Sequence, residues 1–404
     1  MPGVQQNGVM LPREGAIHTL AAARGRAIRV AFVMHAMQVA GAEVLVNETI
    51  RRLAGSIEPT VLCLDAVGAI GERLLAQGVP VICLERRPGR DWRLAWRMAR
   101  EFRARRIEVV HAHQYTPFFY SALARALMRL PPKLILTEHG RAYPDHVSPL
   151  RRTVNRLVLD HLVDEINACC TFSGRALARV DGFAGHRIGL IANGIDVERY
   201  GTAQDRAALR CSLALDPARR YVIAVARFHP VKDHAMLLRA FAKVAAARSD
   251  VDLLLAGDGP LRDELQGQTR ALGIAGRVQF LGVRCDVPQL LQAADVFTLT
   301  SLSEAASLTI LEAMASRLPV VVTEVGGNAE MVRPGIDGLL VPRGNDSAAA
   351  AALLRILDDP VQAAAMGASG RARVEQNYHL SGTVDHYWRL YQRLGRQPGA
   401  SRRC

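Results

Sequence analysis

From Ile28 onward the chain alternates between short apolar runs and amphipathic stretches. Runs at Ile28–Met34, Thr60–Leu64, Val79–Leu84, Val109–His111, Leu134–Thr137 and Ile166–Thr171 have the length and composition of buried strands. Segments of helical character separate them, for example Val44–Leu53. A second series follows at Tyr221–Ala226, Val251–Gly257, Val278–Gly282, Val296–Thr300, Pro319–Thr323 and Gly338–Pro342. Strands covered on both faces read as continuous apolar runs. The pattern therefore predicts an α/β chain built from two Rossmann-like, doubly wound parallel sheets. Residues 197–219 are charged, contain Pro217 and show no strand pattern, which predicts a linker. The expected layout is a tail at 1–27, a first domain at 28–196, the linker, a second domain at 220–378, and a C-terminal helix with its tail at 379–404. Val384, Tyr387, Trp388 and Leu390 supply apolar faces to the final helical segment.

Composition narrows the class. A chain of 404 residues is too long for one core. Half of it is hydrophobic and 22% is charged, as in globular proteins. No apolar run reaches the roughly 18 residues of a membrane span. Residues 1–27 lack the basic start and apolar stretch of a signal peptide, so a cytoplasmic location is expected. Seven cysteines are an odd number without C-x2-C spacing, which argues against a zinc site or a disulfide framework. Cys63, Cys83, Cys169 and Cys170 lie in apolar, strand-like runs and read as small core residues.

The net charge is +13, with +9 of it in residues 1–200. The excess peaks in LERRPGRDWRLAWRMAREFRARR, residues 84–106. Arg93, Arg97 and Arg100 fall on one helical face, near Trp92, Trp96 and Phe102. Two readings stay open. Residues 86–106 touch an anionic membrane peripherally, at the inner face of the cytoplasmic membrane, or they form a solvated helix whose aromatics pack inward. No nucleic-acid-binding module is recognisable, so nucleic acid is not an expected partner.

The candidate chemistry centres on Glu304 and Glu312 in SLSEAASLTILEAMASRLPVVVTEVGG. Glu304 falls just past the strand at Val296. Glu312 falls about one turn inside a predicted helix over 308–316. The start of that helix, at residues 306–309, offers unpaired backbone N–H groups, including those of Leu308 and Thr309, to a diphosphate. Carboxylates accept paired sugar hydroxyls, so a nucleotide-sugar fits: ribose at one glutamate, hexose at the other. Upstream, Arg227 and Lys232 stand in YVIAVARFHPVKDHAMLLRAF, at a strand end and a helix start, with Asp233 placed as an N-cap. Fixed cations stabilise a departing diphosphate.

These motifs resemble the retaining, family 4 glycosyltransferases of the GT-B fold (glycosyl transferases group 1). The resemblance spans about residues 28–394, and TEHGRAYPD adds a likeness to bacterial exopolysaccharide enzymes. It implies two domains facing a cleft, with the last helix crossing back to the first domain. It implies that Glu304 contacts the donor hexose and Glu312 the ribose, that Arg227 and Lys232 grip the diphosphate, and that His139, in LILTEHG, touches the hexose. The expected donor is a UDP- or GDP-linked sugar, with no other cofactor and no metal, and the expected acceptor is a glycan or lipid-linked glycan. The family's glycine pair after the first strand is here Ala40-Gly41, leaving Gly41 as a turn or a ligand contact. Gly257 and Gly259, in GDGP, would let the nucleotide base lie near the backbone. NGID, Asn193 to Asp196, reads as a hinge. Ala305, Ala306 and Ser307 replace the glycine-rich residues that usually follow the first glutamate, and Arg317 replaces a common glycine.

Other positions carry less. His111 and His113 end a strand, but no third metal ligand is evident, so they read as lining or acceptor-side residues. Asp250-Val251-Asp252 has D-x-D spacing but sits at the wrong end of its strand for a diphosphate-bound metal. Two rival functions remain: a nucleotide-sugar 2-epimerase-like isomerase, and a non-catalytic nucleotide-sugar-binding homologue.

Overall fold

The computed structural model describes residues 26–140, 147–201 and 205–395. Most of the tail at 1–27, the extreme C-terminus and the Arg141–Asp145 part of TEHGRAYPD lie outside the described residues. The chain forms two compact units. One contains the described residues up to Ile195, the short segment Glu304–Leu308, and the residues from Asn377 on. The other contains Asp196–Ser303 and Thr309–Gln376.

The first unit is a seven-stranded parallel sheet of order β3-β2-β1-β4-β5-β6-β7. Its strands are β1 (Ile28–Ala36), β2 (Ile57–Ala66), β3 (Val81–Cys83), β4 (Val109–His113), β5 (Lys133–Glu138), β6 (Glu165–Ala168) and β7 (Ile188–Leu190). Six match the apolar runs. β7 was not expected, because three residues, two of them exposed, leave no periodic trace. The run Ile166–Thr171 is cut short. Cys170 caps the helix Thr171–Ala176, its sulfur accepting from the Ser173 N–H.

The order reverses between β1 and β4, and ligands of such sheets gather at the strand C-termini there. One face of the sheet is covered by the helix Gly41–Arg52 and by the C-terminal helix Leu380–Gly395. Leu380, Val384, Tyr387, Leu390, Tyr391 and Leu394 of that last helix join the core of Val30, Phe32 and Val61. The final helical stretch is thus two helices, Pro360–Asn377 and Leu380–Gly395, and the chain pairs Ile195 with His379 where the second begins. Gly194 is required here: a Cβ would lie 2.6 Å from Thr383 Oγ1 and 2.8 Å from the His379 carbonyl.

The second unit is a six-stranded parallel sheet of order β10-β9-β8-β11-β12-β13. Its strands are β8 (Arg220–Val225), β9 (Val251–Ala256), β10 (Val278–Gly282), β11 (Val296–Leu299), β12 (Val320–Thr323) and β13 (Gly338–Val341). Its switch point lies between β8 and β11. The expected linker is partly structured. Arg206–Ser212 is helical, and buried Arg210 bonds Asp295 at 2.7 Å and the Ala293 carbonyl at 2.9 Å. A buried guanidinium needs such partners, which ties this stretch to the second unit. Asp252 lies within β9. Buried at the N-terminal end of β9, it is paired to Arg219 and to Arg277, so its charge is committed to structure.

Candidate functional site

In the second unit, β8 delivers Arg227 two residues beyond its end. Arg227 is exposed and has no side-chain partner among the described residues. Its backbone is fixed from behind. Phe228 N–H donates to the Asp258 carbonyl at 2.9 Å, and Gly257 N–H to the Gly282 carbonyl at 2.8 Å. A Cβ on Gly257 would lie 2.0 Å from the Ala226 carbonyl oxygen, and one on Gly259 would lie 2.5 Å from that of Phe228. The two glycines of GDGP are therefore accounted for by close backbone packing against the Arg227 segment, a reason the sequence did not disclose.

Lys232 ends a short 3₁₀ turn, Pro230–Lys232. Asp233 follows with φ of 45° and caps the helix His234–Ala247, accepting from the Met236 N–H at 3.1 Å. The turn is stitched to the segment after β11. Leu302 N–H donates to the Val231 carbonyl at 2.8 Å, and the Thr300 hydroxyl donates to the Asp233 carbonyl at 2.9 Å. His234 packs against Phe228 with ring centroids 4.9 Å apart. Burial, reinforced by the Lys232 charge, brings its imidazole down to about 4. It is therefore neutral and structural.

Glu312 lies in the helix Leu308–Ala315. Burial pushes its carboxyl up to about 7, against the opposing pull of a Tyr200 hydrogen bond and the Arg199 charge. Tyr200 was not anticipated. It lies in the expected linker, and its own hydroxyl is raised by burial and then by the Glu312 charge. Because the folded carboxyl holds its proton to about pH 7 rather than its ordinary 4.5, the native state binds more protons than the unfolded chain between those values. Stability therefore falls as pH rises through that window, by up to about 3 kcal/mol. Glu312→Gln removes this loss. Its urea midpoint should change less than the wild type's between pH 5 and pH 8, and equal changes in both proteins would refute the assignment.

Glu304 falls in the segment that groups with the first unit, where Ala305 packs on Cys169 and Cys170. The residues expected to act together are thus divided. Arg227, Lys232, Gly257, Gly259, Thr309 and Glu312 belong to one unit, and His139, Gly41, Glu304 and Leu308 to the other. Gly41 opens the helix Gly41–Arg52 without a positive φ, and a Cβ there would touch Leu308 Cδ1 at 3.4 Å. Its backbone conformation does not demand glycine. Arg317 does occupy a glycine-like conformation, φ 57°, just beyond the helix of Glu312.

His139 is buried behind β5 and has both nitrogens engaged. Nε2 meets His113 Nδ1 at 2.8 Å, and Nδ1 meets Asn193 Oδ1 at 3.2 Å. Burial lowers its imidazole to about 4, partly offset by Asn193, so it is uncharged near neutrality. Asn193, read from the sequence as a hinge residue, is a side-chain partner of His139. His111 is also buried, bonding Tyr391 and Thr137 at 2.7 Å each. It fastens the C-terminal helix and lines nothing open. Among the described residues, no group of three or more His, Cys, Asp or Glu is arranged to hold a metal.

Comparison with known proteins accords with this geometry. The sequence profile of Glycosyltransferase Family 4 matches residues 39–199, and that of Glycosyl transferases group 1 matches residues 205–373. The chain is 26% identical to the lipopolysaccharide core biosynthesis mannosyltransferase LpsB of Rhizobium meliloti, over 88% of this chain and 98% of that one. It is 31% identical to the D-inositol 3-phosphate glycosyltransferase of Rhodococcus opacus, over 70% and 67% respectively. The crystal structure of Anabaena HepE in complex with UDP superposes with a TM-score of 0.81 at 24% identity, covering 91% of this chain and all of that one. The protein is therefore a GT-B glycosyltransferase of group 1, a member of family 4.

Proposed function

We propose that the chain transfers a hexosyl unit from a UDP- or GDP-linked sugar to a glycan or lipid-linked acceptor, with retention of configuration and without a metal. The observation that carries this reading is that Arg227 follows the end of β8, at the switch point of the second sheet, and that the turn ending in Lys232 is stitched to the segment after β11. Their cationic groups would meet the diphosphate as the bond from the anomeric carbon to the phosphate oxygen breaks. The acceptor oxygen bonds to that carbon on the same face, and its proton passes to the departing diphosphate. Glu312 holds the ribose and Glu304 the hexose, with His139 beside it. Relatives support the donor class: Anabaena HepE is described with UDP-glucose, and LpsB is named a mannosyltransferase. Incubation with UDP-glucose or GDP-mannose and no acceptor should release the nucleotide diphosphate and the free hexose. A sugar epimerised at C2 would mark an isomerase. No turnover, with no thermal stabilisation by either donor, would overturn the reading.

The acceptor-side partner we propose is an anionic membrane surface. In the helix Trp92–Ala104, Phe102 is buried, but Trp92 and Trp96 are 57% and 65% exposed. Arg87, Arg90, Arg93, Arg100 and Arg103 are exposed around them. Tryptophan beside arginine suits the headgroup region. No helix among the described residues is long and apolar enough to cross a membrane. The protein should co-sediment with phosphatidylglycerol vesicles at low salt, and replacing both tryptophans with alanine should weaken this about fivefold or more. Equal binding by the variant, or none by the wild type, would defeat the proposal.

A further inference from the structure

The first unit carries a charged cluster that the reading above does not use. His35 is the penultimate residue of β1, and Asp65 that of β2. The parallel pairing slips between them: Met34 faces Cys63, but Ala36 faces Ala66. Two residues of β2, Leu64 and Asp65, therefore stand opposite the single residue His35. Bulges of this kind re-aim side chains and recur beside active sites. Here the slip brings His35 Nδ1 to 2.9 Å from Asp65 Oδ2. Arg86 holds the same carboxylate from the other side, with Nε at 2.8 Å from Oδ1 and Nη2 at 3.2 Å from Oδ2.

The chemistry of the pair fixes a direction. An ionised carboxylate only accepts, so Nδ1 must carry the hydrogen. In the neutral imidazole Nε2 is then a bare lone pair, and it has no partner among the described residues. Partial burial opposes the Asp65 charge, but the Arg86 and His35 hydrogen bonds outweigh it and hold the carboxyl below its ordinary value. The ionised Asp65 thus keeps a hydrogen on Nδ1 and leaves Nε2 facing away from the pair. Glu43, in the first turn of the helix Gly41–Arg52, is a second carboxyl near His35, and burial raises it above its ordinary value. Arg86 is already committed to Asp65, so the cluster offers an anion no free cation of its own.

We propose that His35, oriented by Asp65 and Arg86, accepts a hydrogen bond from a hydroxyl of an uncharged sugar acceptor, and that this cluster disfavours phosphorylated acceptors. His35 stands at the C-terminal end of β1, one of the two strands between which the sheet order reverses and ligands of such sheets bind. The proposal rests on the transferase reading and specifies its acceptor class.

The test uses the full chain, UDP-glucose or GDP-mannose, and two sets of acceptor probes: methyl glucoside, methyl mannoside and methyl galactoside, and the 6-phosphates of the same glycosides. The neutral glycosides should accelerate donor turnover above the water rate, and the phosphates should do so less. His35→Ala should raise the acceptor KM about tenfold, the value of one lost hydrogen bond of about 1.4 kcal/mol. Thermal shift by the nucleotide diphosphate reports that the variant is folded. Asp65→Asn frees Arg86 and should move preference toward the 6-phosphates, a change that a merely structural ion pair would not produce. Two-dimensional nitrogen-15 spectra should show His35 protonated at Nδ1. Preference of the wild type for phosphorylated probes, an unchanged acceptor KM in His35→Ala, or donor turnover that no neutral glycoside accelerates would each overturn the site. Failure of the wild type to bind or turn over any donor would instead remove the transferase reading.

Discussion

Arg227→Ala should lower kcat by about 10²–10³-fold while leaving the fold intact. The size follows from what a fixed donor contributes where charge develops. Removing one such group from a preorganised anion site costs about 3–4 kcal/mol of transition-state stabilisation. Retention of the fold follows from the surroundings. The side chain is exposed and unpaired among the described residues, so its loss opens no cavity and strands no buried partner. The far-UV spectrum and urea midpoint should match the wild type. Arg227→Lys should recover only part of the rate, because an ammonium cannot reproduce the planar fork of a guanidinium against phosphate oxygens. Donor turnover within tenfold of wild type in Arg227→Ala would show that the diphosphate is stabilised elsewhere.

Most of the architecture was legible because buried parallel strands announce themselves. Twelve of the strands coincide with continuous apolar runs, and the break in that rhythm marked the junction of the two sheets. What could be read of the site followed from strand ends: Arg227, His139 and Glu304 each fall just past an apolar run. The pairings could not be read, because they depend on the register of neighbouring strands and on packing between distant segments. Tyr200 and Glu312 are separated by more than a hundred residues, and Asn193 reaches His139 across 54. The His35–Asp65 pair depends on a one-residue slip between β1 and β2 that no periodicity records. One signal was available. A histidine and an aspartate each close one of the first two apolar runs, and adjacent parallel strands bring their ends together. The basic helix shows a different limit. Helical spacing left open whether Trp92, Trp96 and Phe102 pack inward or meet the surroundings; Phe102 is buried and both tryptophans are exposed, a split that spacing alone cannot decide.

Gly257→Ala is expected to injure both stability and rate, and the coupling of the two is the informative part. At this position φ is 144°, a conformation that side chains rarely adopt, and the added carbon would lie 2.0 Å from the Ala226 carbonyl oxygen and 2.9 Å from its carbon. Neither atom is the end of a flexible side chain, so the backbone at the end of β8 must move. Overpacking and backbone strain of this kind cost about 2–4 kcal/mol together. The displaced residue immediately precedes Arg227. If that guanidinium acts only from a fixed position, a shift of its backbone lowers kcat even in the fraction that remains folded, because misplacement of about 1 Å can cost two orders of magnitude. Gly267→Ala is the matching control. Gly267 lies within the helix Arg262–Ala271, and an added carbon would approach only Arg270 Nη2, at 3.9 Å, so it should be neutral or slightly stabilising. A Gly257→Ala protein with a lowered urea midpoint but wild-type kcat would separate the two effects. It would mean that the glycine serves the packing of β8 alone and that the exact placement of Arg227 does not limit the reaction.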